Sequence, residues 1–286
     1  RRSAGPRGRS AEMNLEEFFP HARPWVENLV NVWPAPIVKP QFAWWEVGHI
    51  VSLITLGGTS ILMNLRLIGV GLTQEPPSEL YRSLKLWQTI GIVGIVVTGI
   101  LIGMANAERL YDSAAFIVKM LALIAGIILT YGASRPVAKA DGAVSVASKV
   151  WFVLGMAFWL AGLWVFATGD LINPGVFHII TAAALIVLFA VRGRARLVYL
   201  GVLIPMIVLQ FVWTHFIVKP DDYDRLTPVN IGFAYAFSAW IVAMGLFQLF
   251  RAGRGADGGP LTKVIGYAAI LVWVTAAAAG RWIAFA

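Results

Sequence analysis

The stretch WWEVGHIVSLITLGGTSILMNL, residues 44–65, decides the fold class. It holds a single charged residue, Glu46. A helix of this length rises about 33 Å at ~1.5 Å per residue, enough to cross ~30 Å of hydrocarbon. An isolated strand cannot cross, because lipid leaves its backbone groups unsatisfied. The stretch therefore predicts a membrane-spanning helix.

Seven more apolar stretches follow the first. The eight cover residues 44–65, 84–105, 113–133, 150–169, 174–191, 197–218, 229–250 and 263–285. The chain is 58% hydrophobic and only 13% charged, whereas soluble domains carry about 25% charged residues. We predict an all-α polytopic membrane protein with eight transmembrane helices. The absence of cysteine excludes disulfides, thiolate ligands, iron–sulfur clusters and covalent c-type haem.

We expect two parts, an N-terminal segment over residues 1–40 and the transmembrane domain over 41–286. Residues 14–33 are too polar to span and predict a periplasmic interfacial helix or two, anchored by aromatic side chains. The domain also carries traces of a tandem repeat, 44–169 and 174–286. His49-Ile-Val-Ser opens span 1 and His178-Ile-Ile-Thr opens span 5. Chance similarity among apolar letters is the alternative.

The distribution of Lys and Arg predicts the orientation. Loops 1–2, 3–4, 5–6 and 7–8, counted with Lys85 and Lys263 at the span ends beside them, hold twelve of these residues, and loops 2–3, 4–5 and 6–7 hold three. The basic loops are expected to face the cytoplasm. We therefore predict a multi-pass protein of the bacterial inner membrane with both termini periplasmic. The net charge of +8 then belongs to the loops, and no nucleic-acid partner is expected.

Three of the four histidines fall at one predicted depth. His49, His178 and His215 each lie about four to five residues from the periplasmic end of a span. Ionisable residues within spans are costly and are usually functional. Neutral imidazole is the common axial ligand of b-type haem and also binds copper and zinc. One such histidine alone could simply hydrogen-bond a carbonyl or a headgroup.

These residues lead to a predicted haem b site near the periplasmic face. The first choice of axial pair is His49 with His178, and pairs that include His215 remain open. Lys119 and Arg281 are the expected partners of the propionates. A zinc site of the three histidines with Asp170 is an alternative, and copper is weaker because its Cys ligands are absent and Met is scattered.

Three motifs resemble an uncharacterised family of bacterial integral membrane proteins, a domain of unknown function. They are His49-x(7)-Gly57-Gly58 with Asn64-Leu-Arg-Leu-Ile-Gly69, then Asn106…Tyr111-x(4)-Phe116-x-x-Lys119, and last Ala279-Gly-Arg-Trp-Ile283. The resemblance covers most of spans 1–3 and span 8. It implies a multi-span fold and no established activity. In layout the chain is also similar to copper-resistance D-type proteins and b-type cytochrome subunits, which is analogy only.

Three functions follow as expectations. The first is a membrane subunit of an electron-transfer complex, with quinone and a periplasmic redox protein as neighbours. If it is redox-active, we expect a subunit rather than a stand-alone enzyme. The second is a cofactor-free accessory or scaffold subunit of a larger membrane complex. The third is copper or zinc handling at the periplasmic side.

Overall fold

A computed structural model describes residues 14–168, 176–218, 222–251 and 258–283. This part of the chain is helical and contains no strand. Its helices are α1 Leu15–Phe18, α2 Arg23–Asn28, α3 Ala35–Val38, α4 Phe42–Ile68, α5 Pro77–Ala105, α6 Ala107–Tyr111, α7 Ala114–Ile128, α8 Arg135–Lys139, α9 Val146–Thr168, α10 Phe177–Ala190, α11 Arg194–Val212, α12 Tyr223–Arg251 and α13 Pro260–Trp282.

Within the described residues, seven helices are long and apolar enough to cross a membrane. They contain α4, α5, α7 with α8, α9, α11, α12 and α13. A π-helical turn at Leu129–Ser134 joins α7 to α8, and another at Trp213–Ile217 extends α11. The all-α, multi-pass prediction is confirmed at this level.

The predicted fifth span is the exception. Helix α10 has 14 residues, which corresponds to about 21 Å, short of the ~30 Å of hydrocarbon. The start of the predicted span, 174–175, lies outside the described residues. Eight spans are therefore not confirmed, and neither is the tandem repeat. The two predicted halves pack differently, because α13 inserts among the helices of the first half.

Helix α13 is the centre of the bundle. In its most apolar 18-residue stretch, 67% of the residues are buried, compared with at most 44% in the corresponding stretches of the other spanning helices. It packs on α4 and α7, while α4 pairs with α5 and α7 pairs with α9. Its inward face is rich in alanine, with Ala268, Ala269, Ala276 and Ala279 buried. Small side chains let helix backbones approach closely in a membrane.

The bundle has two ends, which we name by their contents. The basic end is where α4 ends at Ile68 and α13 begins at Pro260. Gly69 ends α4 there in a left-handed conformation, with φ of +85°. The cavity end is where α4 begins at Phe42 and α13 ends at Trp282. Helices α1 to α3 lead into the bundle at this second end.

A buried polar network ties α4, α5 and α8 together toward the basic end. Gln88 donates to the Ser60 hydroxyl at 2.9 Å and accepts from Arg135 Nε at 2.6 Å. The Ser134 hydroxyl donates to Asn64 Oδ1 at 2.7 Å. Polar side chains in a span need partners, since hydrocarbon offers none. The network fixes the rotation of these helices about their axes.

Candidate ligand cavity

A cavity of about 790 Å³ lies at the cavity end between α4, α5, α7 and α13. The N-terminal segment covers its mouth with Trp25 and Val26 of α2. Most of the wall is apolar. Its lower part is formed by Leu53, Ile95, Val96, Met120, Leu123 and Ala276.

The packing of α4 against α5 explains why the space exists. A Cβ atom on Gly91 would lie 2.7 Å from the backbone nitrogen of Leu56, so the two backbones touch there. Two turns closer to the cavity, a Cβ on Gly99 would lie 3.3 Å from the imidazole of His49. The helices thus diverge from backbone contact to a separation that admits an imidazole and, beyond it, the cavity.

His49 has a defined tautomer in its neutral state. Its Nδ1 lies 2.8 Å from the Thr98 hydroxyl, and that hydroxyl donates its only hydrogen to the Gly94 carbonyl at 2.6 Å. Thr98 must therefore accept from His49, so Nδ1 carries the proton. The lone pair is then on Nε2, which lies 3.4 Å from Lys119 Nζ. The ammonium donates to this lone pair.

Lys119 is a half-buried cation within a span. Its aliphatic stem passes along α13 at Gly280, where an added Cβ would lie 3.6 Å from Cε and 3.7 Å from Nζ. Among the described residues, no carboxylate oxygen lies within 4.0 Å of Nζ. The neutral imidazole of His49 is the hydrogen-bond partner that the structure gives it.

Charged side chains on the cavity wall are mostly positive. Lys119, Arg109 and Arg281 line it, with Glu46 as the one lining carboxylate among the described residues. Charges interact more strongly beside apolar walls than in water. The wall therefore favours an anionic group over a cationic one.

The cavity wall includes two side chains that are also exposed on the outside of the bundle. Ile50 of α4 and Ile100 of α5 both line the cavity, yet their exposed fractions are 47% and 59%. Exposed apolar side chains in the middle of spanning helices face lipid. At these two side chains the cavity wall therefore borders lipid.

A latch holds the N-terminal segment over the mouth. Arg23 of α2 pairs with Asp112 at 2.6 Å and with Glu16 at 2.7 Å. The Tyr111 hydroxyl donates to the Phe19 carbonyl. Burial, followed by the nearby Glu16 carboxylate, raises the pKa of Tyr111, so this donor stays protonated at neutral pH. The hydrogen bond of the Glu16 side chain is the main cause of the raised pKa of Arg23.

The structure brings three of the five predicted site residues together. His49, Lys119 and Arg281 all line the cavity. His178 is exposed on α10, with its ring centroid 6.2 Å from that of Trp282. His215 is exposed and stacks on Phe211 at 4.3 Å.

The predicted three-histidine metal set is not formed. The described residues contain no group of three or more His, Cys, Asp or Glu side chains placed to hold a metal ion. Asp170, the fourth ligand proposed for zinc, lies outside the described residues. The three histidines lie at similar distances from the ends of their predicted spans, but this distance does not determine the direction in which a helix presents a side chain.

Thr98, the hydrogen-bond partner of His49, was not among the predicted site residues. The distances of the two residues from the ends of their helices could have identified it. Thr98 lies seven residues before Ala105, where α5 ends, and His49 lies seven residues after Phe42, where α4 begins. In two antiparallel neighbours these positions meet. The prediction of Thr98 would have required the knowledge that α4 packs against α5.

The comparisons with known proteins identify a family over part of the chain. Residues 42–176, just under half of the chain, match the model of a family of unknown function, DUF6644. The match contains α4, α5 and α7, three of the four helices around the cavity. It does not reach α13, where the third predicted motif lies. No curated protein and no solved structure matches the chain. The expected likeness to an uncharacterised family is thus confirmed as a similarity to DUF6644 over residues 42–176.

Proposed function

We propose that this chain binds a lipid-soluble small molecule within the membrane, in the cavity between α4, α5, α7 and α13. The cavity itself carries the proposal. Its volume of about 790 Å³ falls within the ~300–1,000 Å³ typical of ligand pockets. An apolar wall with a few polar groups at one place is the usual composition of such pockets.

The access route supports a ligand that arrives from the bilayer. The latch of Arg23 and Tyr111 holds the N-terminal segment over the mouth, whereas Ile50 and Ile100 of the cavity wall are exposed to lipid, so we place the entry route at these two side chains. At ~1.5 Å per residue, His49 lies about 10 Å and Lys119 about 8 Å from the ends of their helices at the cavity end. A bound molecule would place its polar group there and its apolar part along the wall.

Native mass spectrometry of protein purified from membranes tests this proposal. We expect a retained lipophilic molecule of reproducible mass. Ala277 lines the cavity, so Ala277→Phe should obstruct part of the space and weaken retention. Ala236 is exposed on α12, and Ala236→Phe is the matched control that should retain the molecule. Equal retention in both variants, or no retained molecule in the wild-type protein, would contradict the proposal.

Electron transfer through haem b is a second candidate, and one observation favours it. The lone pair of His49 Nε2 lies beside the cavity and could ligate iron if Lys119 moved away from it, and Nδ1–H is held by Thr98, as in many ligating histidines. A haem here would have His49 as its one histidine ligand, because His178 and His215 do not line the cavity. Quinone and a periplasmic redox protein remain its proposed partners.

A visible spectrum separates the two candidates. Oxidised and dithionite-reduced protein should show a Soret band that His49→Ala removes if haem is bound at stoichiometric level. Metal analysis of the same preparation tests copper or zinc handling. A protein that retains neither a cofactor nor a lipophilic molecule would favour the scaffold role within a larger complex.

We also propose that the protein lies in the bacterial inner membrane with its basic end cytoplasmic and both termini periplasmic. The twelve-to-three distribution of Lys and Arg between alternate loops supports this orientation. It requires α10 to complete an eighth crossing, and it would allow the repeat of 44–169 and 174–286. Because the chain has no native cysteine, single-cysteine labelling from either side reads the topology directly. Labelling of the 140–145 loop from outside intact cells would contradict it.

A further inference from the structure

We infer that the molecule bound in the cavity is an amphiphile with an anionic head group, and that Lys119 binds this head group. The inference rests on the proposed function and adds the chemical class of the ligand. It follows from the electrostatics of the cavity and from the hydrogen-bonding capacity of its polar pair.

An ammonium inside a spanning segment requires compensation. A charge removed from water is costly unless an opposite charge and hydrogen bonds satisfy it. Lys119 has three N–H donors. Among the described residues its nitrogen has His49 as hydrogen-bond partner and no carboxylate within 4.0 Å. An anionic ligand would supply the missing charge and acceptors.

The tautomer of His49 determines which of the two side chains can donate a hydrogen bond to a ligand. Its Nδ1–H is committed to Thr98, and Nε2 is an acceptor. Neutral His49 therefore offers the ligand no N–H, and Lys119 is the donor of this pair. A carboxylate or phosphate can accept two or more hydrogen bonds from one ammonium with full charge assistance. A neutral carbonyl gains much less from the same contact.

The remainder of the wall agrees with an amphiphile. Among the described residues that line the cavity, Arg109 and Arg281 are further basic side chains and Glu46 is the one acidic side chain. The apolar surface at Leu53 and Leu123 would not stabilise a small hydrated anion, but it would be removed from water by a hydrocarbon tail. The exposed side chains Ile50 and Ile100 place this part of the wall next to the lipid tails.

Binding of matched amphiphiles tests the inference. The full chain is placed in nanodiscs of phosphatidylcholine, and the affinities of palmitate, hexadecyl phosphate and neutral hexadecanol are measured by equilibrium binding. We expect the better anion to bind at least about tenfold more tightly than the alcohol, as expected for one charge-assisted hydrogen bond. The order of the two anions assigns the head group as carboxylate or phosphate.

Three variants test the role of Lys119. Lys119→Met should remove the preference for anions, and Lys119→Arg should retain it. Glu46→Gln should strengthen anion binding about two- to threefold by removing the opposing charge. Lys139→Met is the matched control, because Lys139 is exposed at the basic end, and it should leave the preference unchanged.

Two results separate this inference from the proposed function. Equal binding of palmitate, hexadecyl phosphate and hexadecanol, unaffected by Lys119→Met, would overturn the anionic head group and leave a lipid-binding cavity. Tighter binding of a neutral quinone than of both anions would overturn it in the same way. If no amphiphile binds and the purified protein retains no lipophilic molecule, the proposed function itself fails.

Discussion

Substitution of Gly91 by alanine tests the contact that creates the cavity. The added Cβ would lie 2.7, 2.8 and 2.9 Å from the nitrogen, Cβ and Cα atoms of Leu56. Ordinary carbon contacts are ~3.5–4.0 Å, so α4 and α5 would have to separate by roughly 0.7–1 Å. Overpacking of this kind costs about 1–3 kcal/mol.

Helix propensity acts in the opposite direction and must be removed by a control. Replacing glycine by alanine inside a helix gains about 1 kcal/mol. Gly58 of α4 has no atom within 4 Å of its added Cβ, so Gly58→Ala should show the gain alone. We therefore expect Gly91→Ala to be less stable than Gly58→Ala by about 1–3 kcal/mol.

Thermal unfolding in one detergent measures the difference between the two variants. A change of 1 kcal/mol corresponds to roughly 2–4 °C for large domains. The separation of α4 from α5 should also lengthen the contact between His49 and Thr98 and weaken retention of the lipophilic molecule. A Gly91→Ala protein that melts at or above the temperature of Gly58→Ala would refute the close backbone contact.

Three further predictions concern the latch, the basic end and the buried network. Arg23→Gln removes the pair with Asp112, so amide hydrogens of residues 15–31 should exchange faster while those of α13 are unchanged. Gln88→Leu leaves a buried guanidinium short of an acceptor and should destabilise the protein by about 2–3 kcal/mol in thermal or denaturant unfolding. The backbone N–H of Ser78 lowers the pKa of Asp141 from 3.8, so this carboxylate stabilises the fold above about pH 4 and the contribution is lost as the pH falls below it. A melting-temperature difference between the wild-type protein and Asp141→Asn should therefore shrink on acidification, and a difference that grows would contradict the assignment.

The spanning helices could be predicted because each depends on a local property of the chain. The run at residues 44–65 lies inside α4, Phe42–Ile68, and the last run overlaps α13. Length and apolar composition determine such a helix before any tertiary contact forms. The exception was 174–191, where α10 has 14 helical residues.

Of the candidate site, the sequence predicted only how far each residue lies from the end of its helix. His49 and Lys119 were expected near one another in height, and they do meet. His178 and His215 had the same expected height, but neither side chain lines the cavity. The missing information is the rotation and neighbour order of the helices, which follow from close contacts such as Gly91 with Leu56. These are long-range properties that a periodic apolar pattern does not contain.

An experimental structure of the full chain in nanodiscs of native lipid would show whether a lipid-soluble molecule occupies the cavity. We expect elongated non-protein density in the cavity between α4, α5, α7 and α13, with its polar end beside Lys119 Nζ. A space closed by side chains, or one filled with water alone, would contradict a cavity that binds a lipid-soluble molecule.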